Sequence, residues 1–139
     1  MTRIIGLDHG ARRIGVAVGD KATGMAFARE AIQRRNLNGD LALVAELCTR
    51  EAASLVVIGL PLNMDGSEGD QAAAARTFGA EVERIGFVVA FEDERLTSWE
   101  AGQLLTEAGR RPSRGSGELD STAARLILQQ YLDRPEEIE

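Results

Sequence analysis

Three acidic residues, far apart in the chain, are the ones whose types could do chemistry together: Asp8, Glu94 and Asp120. Asp8 ends the apolar run Arg3-Ile4-Ile5-Gly6-Leu7 and begins Asp-His-Gly. Glu94 follows a second apolar run, Phe87-Val88-Val89-Ala90-Phe91, within Glu92-Asp93-Glu94-Arg95-Leu96-Thr97-Ser98. Asp120 opens Asp-Ser-Thr-Ala-Ala at the expected start of a terminal helix. Carboxylates gathered at one point repel unless a cation lies between them. Hard divalent ions such as Mg²⁺ or Mn²⁺ take oxygen ligands and leave positions for phosphate and water. Two such ions could stabilise the attacking and leaving oxygens of a phosphodiester displacement. Each residue alone also has a plain reading. Asp before Gly is ordinary turn chemistry, an exposed Glu needs no explanation, and Asp120 serves as an N-cap. Only a shared location would separate the readings.

The elements expected to supply that location follow from apolar periodicity. Residues 3 to 9 read as a buried strand, and Ile14 to Val18 returns antiparallel after the Gly10 turn. Met25 to Ile32 reads as a third strand, and a helix is expected from Asp40, as N-cap, to Ala53. Ser54 to Leu60 is a β-branched strand, parallel to its neighbour because a helix makes the crossover. A Gly-rich loop, Pro61 to Gly69, leads to a helix over Asp70 to Arg84 and a fifth strand over residues 87 to 92. Thr97-Ser98-Trp99-Glu100 has the pattern of a capping box opening a helix to Ala108, with Trp99 in the core. Residues 109 to 117 form a basic loop, and the last helix covers about 121 to 132. Strands one, four and five then point the same way, and open α/β sheets place ligands beyond that carboxyl edge. Alternation along the strands turns His9 away from Asp8, and sets Glu92 and Glu94 on one face with Asp93 on the other.

The formal net charge of −6 argues against general coating of nucleic acid, which rests on many cationic contacts. The arginines are nonetheless clustered, as Arg12-Arg13, Arg34-Arg35 and Arg110-Arg111 with Arg114, and the first and last clusters flank the acidic residues. A single histidine and a single cysteine exclude a zinc set or an internal disulfide, and Cys48 falls at helical spacing among Leu41, Val44 and Leu47 as a core residue. Early charges at Arg3 and Asp8 argue against a signal peptide, and no apolar run approaches the length of a membrane helix. A cytoplasmic protein, one domain over residues 1–134 with an acidic tail at 135–139, is the expectation. The Pro61–Gly69 loop lacks the Lys of a P-loop and the ligand spacing of an EF-hand. Gly66 and Gly69 would instead let backbone N–H groups approach a phosphate.

At these residues the chain resembles the YqgF/RuvX family of the RNase H-like, RuvC-type nuclease superfamily. The resemblance spans nearly the whole length. It is carried by Gly6-Leu7-Asp8-His9-Gly10 with Arg13-Ile14-Gly15-Val16-Ala17, by Gly59-Leu60-Pro61-Leu62-Asn63-Met64-Asp65-Gly66, by Asp93-Glu94-Arg95-Leu96-Thr97, and by Asp120-Ser121 with Ala123-Ala124. It implies an RNase H-like α/β fold with a mixed five-stranded sheet, order 3-2-1-4-5, flanked by helices. It also implies Mg²⁺- or Mn²⁺-dependent phosphodiester hydrolysis with Asp8, Glu94 and Asp120 as catalytic metal ligands. Arg13, Asn63, Asp65, Arg95, Arg110, Arg111 and Arg114 are the expected substrate contacts. The substrate implied is structured precursor RNA, in maturation of the 5′ end of pre-16S rRNA, by a monomer or homodimer. Branched DNA at a Holliday junction is the alternative. A different class is also open, since Asp-x-Gly resembles the first phosphate loop of actin-like and sugar-kinase ATP-binding proteins; those clamp nucleotide between two lobes, and 139 residues supply one. A catalytically silent nucleic-acid-binding module would be signalled by loss of one of the acidic residues. Two positions depart from the family pattern: His9 stands where an apolar residue is expected, and Glu118-Leu119 stand where a basic residue often precedes the final Asp.

Overall fold

Continuous apolar runs with two-residue alternation build the sheet first, and the computed structural model describes residues 2–94 and 118–134, of 118–120 the backbone alone. Strands β1 (Arg3–His9), β2 (Arg13–Asp20), β3 (Met25–Gln33), β4 (Leu55–Leu60) and β5 (Val89–Asp93) form one sheet in the order β3-β2-β1-β4-β5. β1 and β2 pair antiparallel, as do β2 and β3, whereas β1 with β4 and β4 with β5 are parallel. The carboxyl ends of β1, β4 and β5 therefore share an edge, as crossover logic requires.

Helices α1 (Leu37–Glu51) and α2 (Asp70–Arg84) cover one face of this sheet, and α3 (Glu118–Asp133) the other. Ile5, Leu7, Val16, Val56 and Ile58 bury against Leu41, Val44, Ala75, Phe78 and Val82 of the first two helices. Ile4, Ala17 and Val57 bury against Ala124, Ile127 and Leu128 of α3. The second face is paved with small residues. A Cβ at Gly6 would stand 2.8 Å from Leu128 Cβ and 3.2 Å from the Ala124 carbonyl, so only glycine lets the helix lie this close.

Several boundaries differ from the sequence expectation. α1 starts at Leu37 because Asn36 caps it, its side chain accepting from the Gly39 N–H at 2.7 Å. Asp40 is thus inside the first turn, where negative charge also suits the helix dipole, and not at the N-cap. α1 closes on Ala52, a left-handed residue with φ 53°. β5 begins at Val89, since the Phe87 N–H closes the end of α2 on the Val82 carbonyl. α3 begins at Glu118, so Asp120 is its third residue rather than its cap. The Thr97 capping box, the helix to Ala108, the 109–117 loop and the acidic tail lie outside the described residues.

Candidate active site

Asp8 is the penultimate residue of β1, paired with Gly15, and even-numbered positions of this strand face α3. β5 runs parallel to β4 on the other side of β1, with Glu92 opposite Gly59 and Asp93 opposite Leu60. Past the strand, the Glu94 N–H donates to the Leu60 carbonyl at 3.2 Å, which extends the ladder by one residue. Alternation then puts Glu94 on the face that carries Asp8. The room for it is made at Gly59, where a Cβ would come 2.5 Å from Glu94 Oε2 and 2.6 Å from Ile127 Cδ1.

Glu94 is 8% exposed, and its Oε2 has no hydrogen-bond partner among the described residues. Its pKa is pushed up to about 9, first by burial, then by the charge of Asp8, by a side-chain hydrogen bond to Asp8, and by Asp93. In the metal-free protein near neutral pH this carboxyl holds a proton that it gives up only to a compensating cation. Such a pair of convergent oxygen donors suits Mg²⁺ or Mn²⁺ better than a soft ion. Among the described residues no trio of His, Cys, Asp and Glu is arranged around a metal position. The third expected carboxylate, Asp120, is described by its backbone alone. That backbone starts α3 at the Asp8 end of the sheet, since the next residue, Ser121, accepts from the Val16 N–H at 3.5 Å, and Val16 is the partner of Leu7.

Asp8 and Glu94 open into a cavity of about 490 Å³ whose other walls are His9, Gly10, Ala11, Arg34, Pro61, Asp70, Gln71 and Ala74. His9 points to the opposite face from Asp8, as strand alternation requires, and stacks on Phe78 with ring centroids 4.7 Å apart. Its pKa is lowered, by burial first and then by Arg34, with Asp40 opposing. It is a neutral packing residue at the cavity's rim.

The family profile described as "RuvX: Holliday junction resolvase" matches residues 2–134. The chain belongs to the RuvX family. A curated relative from Moorella thermoacetica, named "Putative pre-16S rRNA nuclease", is 46% identical over 133 residues and 95% of each chain. One of the same name from Anaeromyxobacter dehalogenans is 42% identical over 133 residues, 95% of this chain and 97% of the relative. Among solved structures, Thermus thermophilus RuvC in complex with a Holliday junction substrate matches with a TM-score of 0.55 at 14% identity, over 96% of this chain and 97% of RuvC. The large terminase nuclease of the thermophilic phage G20c matches with a TM-score of 0.57 at 16% identity, over 94% and 81% of the two chains. At those identities the structural likeness speaks to the fold, and it is the RNase H-like one.

The remaining expected substrate contacts of this RuvX family member divide. Arg13 begins β2 beside the Gly10 turn and is half-buried. Asn63 and Asp65 are turned inward to build their loop. Asn63 Nδ2 donates to Ser67 Oγ at 3.0 Å, while Asp65 Oδ1 accepts from the Ser67 N–H at 2.9 Å and its hydroxyl at 2.6 Å. Leu62 bridges Glu68, and Glu68 is held by Arg76 at 2.6 and 2.8 Å, so the loop is a braced hairpin and not the flexible stretch its glycines suggest. Arg95, Arg110, Arg111 and Arg114 lie outside the described residues. Sequence reasoning missed Arg34 as a wall of this cavity. It also set Glu92 on the Glu94 face without finding its partners: Glu92 is fully buried, accepting from Gln130 Nε2 at 2.5 Å and pairing with Arg134.

Proposed function

We propose that Asp8, Glu94 and Asp120 hold divalent cations with which this nuclease hydrolyses phosphodiester bonds, and that its substrate is structured precursor RNA at the 5′ end of pre-16S rRNA. The observation that carries the reading is the buried Glu94 beside the half-buried Asp8: Glu94 Oε2 has no hydrogen-bond partner among the described residues, and the charge the two acids share calls for a cation. When bound, Mg²⁺ or Mn²⁺ would stabilise the charge developing on the phosphodiester oxygens. The chain's own part is to converge oxygen donors at a sheet edge, to keep Glu94 out of bulk water, and to present the scissile group within the cavity that both acids line. The RNA substrate is supported by the names of the curated relatives, and with it a place in the cytoplasm. No helix among the described residues is long and apolar enough to cross a membrane.

The family's own description favours a second reading, cleavage of four-way DNA junctions. The test assays purified protein on a precursor RNA carrying the 16S 5′ leader and on a four-way DNA junction, with Mg²⁺ or Mn²⁺. Cleavage of the RNA, abolished in each of Asp8→Asn, Glu94→Gln and Asp120→Asn, is expected. Exclusive cleavage of the junction would move the chain to the second reading, and full activity in two of the three variants would end the site assignment.

A further inference from the structure

Arg34 has no role in the site as described, yet it forms part of the wall of the cavity into which Asp8 and Glu94 open. Its guanidinium does not wander there. Nη1 donates to the Gly10 carbonyl at 2.8 Å and lies 3.4 Å from the Ala11 carbonyl, while Nε faces Asp40 Oδ2 at 3.5 Å. Asp40 is only 1% exposed, and its other oxygen accepts from the Arg35 N–H at 3.0 Å. A buried carboxylate that neither caps its helix nor faces the reacting edge thus holds the Arg35 backbone with one oxygen and leaves the other to pair with the Arg34 guanidinium. The Arg34 N–H adds a further bond, to the Arg12 carbonyl at 3.0 Å, which fixes the root of the side chain.

These bonds use Nε and Nη1. The remaining fork nitrogen, Nη2, makes no bond among the described residues, and the side chain keeps 33% of its surface exposed. If Arg34 only stapled the β1–β2 turn, the two carbonyl bonds would suffice and its place in the cavity would be incidental. A fixed guanidinium with an open edge is what recognition of a phosphate oxygen requires. Asp70 and Gln71, in the first turn of α2, also line the cavity, and that helix begins after Gly69 without a side-chain cap.

We infer that Arg34, aimed by the buried Asp40, binds a backbone phosphate of the nucleic-acid substrate adjacent to the one at Asp8 and Glu94. The inference rests on the nuclease reading for the identity of the ligand, but its test is read from binding and not from cleavage. Asp8 and Asp70 on the walls of the cavity repel a polyanion, and Arg34 is the cation among the described residues of that wall that offsets them.

The probe is a fluorescently labelled single-stranded RNA, its Kd measured by anisotropy across a series of KCl concentrations in the Glu94→Gln protein with Mg²⁺. Arg34→Gln is combined with Asp40→Asn so that no charge is left buried and unpaired. The pair of substitutions should weaken binding about tenfold, the worth of one charge-assisted contact. It should also make the slope of log Kd against log[KCl] shallower by about one contact's share. An unchanged slope overturns the inference and returns Arg34 to stapling the turn, whatever happens to the melting temperature. If that variant does not fold, Arg34→Lys decides. It keeps the charge but loses the fork, so affinity should fall several-fold, and undiminished affinity overturns the inference. Absence of cleavage by the wild-type protein on every substrate would sink the nuclease reading while leaving the Arg34 result standing on its own.

Discussion

Replacing Glu94 by Gln should stabilise the metal-free protein, and the gain should grow with pH. Gln matches the shape of the protonated acid and can still donate to Asp8, so the change removes a titration rather than a contact. The folded protein holds Glu94 protonated up to about pH 9, whereas the unfolded chain releases that proton near 4.5. A group whose pKa is raised on folding contributes its stability in full below the unfolded value and loses it as pH climbs towards the folded one. Between those limits each pH unit costs the wild type about 1.4 kcal/mol. At pH 7 the accumulated cost is about 3 kcal/mol, which for a domain of this length corresponds to roughly 10 °C in Tm. The assay is thermal unfolding of wild type and Glu94→Gln in EDTA from pH 4.5 to 9, repeated with Mg²⁺. The two curves should coincide at the acid end and separate steadily above it, and Mg²⁺ should raise the wild type while leaving the variant where it was. Parallel curves, or a variant no more stable than wild type at pH 8, would refute the account of Glu94 as a buried acid held next to a second carboxylate.

Other outcomes follow from single contacts. Gly59→Ala should cut the cleavage rate on the order of 100-fold with a small change in Tm, because the new methyl meets the movable ends of Glu94 and Ile127; an unaltered rate would show that Glu94 tolerates displacement. Arg134→Ala should cost about 3 kcal/mol in denaturant unfolding, far more than an ordinary half-exposed arginine, since it strands the buried Glu92 carboxylate. Ala52→Gly should raise stability by about 0.5–1 kcal/mol, relieving the left-handed backbone at the end of α1, as urea midpoints would register. Asp65→Ala should slow cleavage by loosening the braced loop yet leave the Mn²⁺ concentration for half-maximal activity unchanged; a large rise in that concentration would make Asp65 a ligand.

How much of this was legible in the sequence depends on the range of the interactions involved. Strand direction and the facing of Asp8, His9, Glu92 and Asp93 follow from two-residue alternation and crossover logic, both of which act locally, while the strand order comes from the family resemblance. What escaped is decided by contacts between distant segments. Asp40 looked like a cap because Asp is a good cap, but Asn36 lies one residue before α1 and does the work. Arg34 resembled any surface arginine until the Gly10 turn, 24 residues earlier, came within its reach. Glu92 and Gln130 are 38 residues apart and nothing in either one's neighbourhood announces the other. Asn63 and Asp65 are expected substrate contacts, and what the sequence does not announce is that both also bond to Ser67 within their loop.

The glycine and alanine pavement beneath α3 carries a consequence for how the site is gauged. Ser121, Gln129 and Gln130 tie the helix to the sheet by hydrogen bonds, yet the helix also rests on main chain at Gly6, and at Gly19 a Cβ would stand 2.9 Å from Leu132 Cδ1. Contact of this kind acts as a mechanical stop: repulsion rises so steeply below van der Waals distance that the spacing is defined within tenths of an ångström. The separation between the strand bearing Asp8 and the helix bearing Asp120 is thus dictated by side chains that are missing. One methyl at Gly6 would move the helix bodily and with it the third carboxylate, whereas the opposite face of the sheet, filled by branched and aromatic side chains, can absorb exchanges of equal volume. The two faces of one sheet are held to different tolerances, and the stricter one carries the acidic residues proposed as metal ligands.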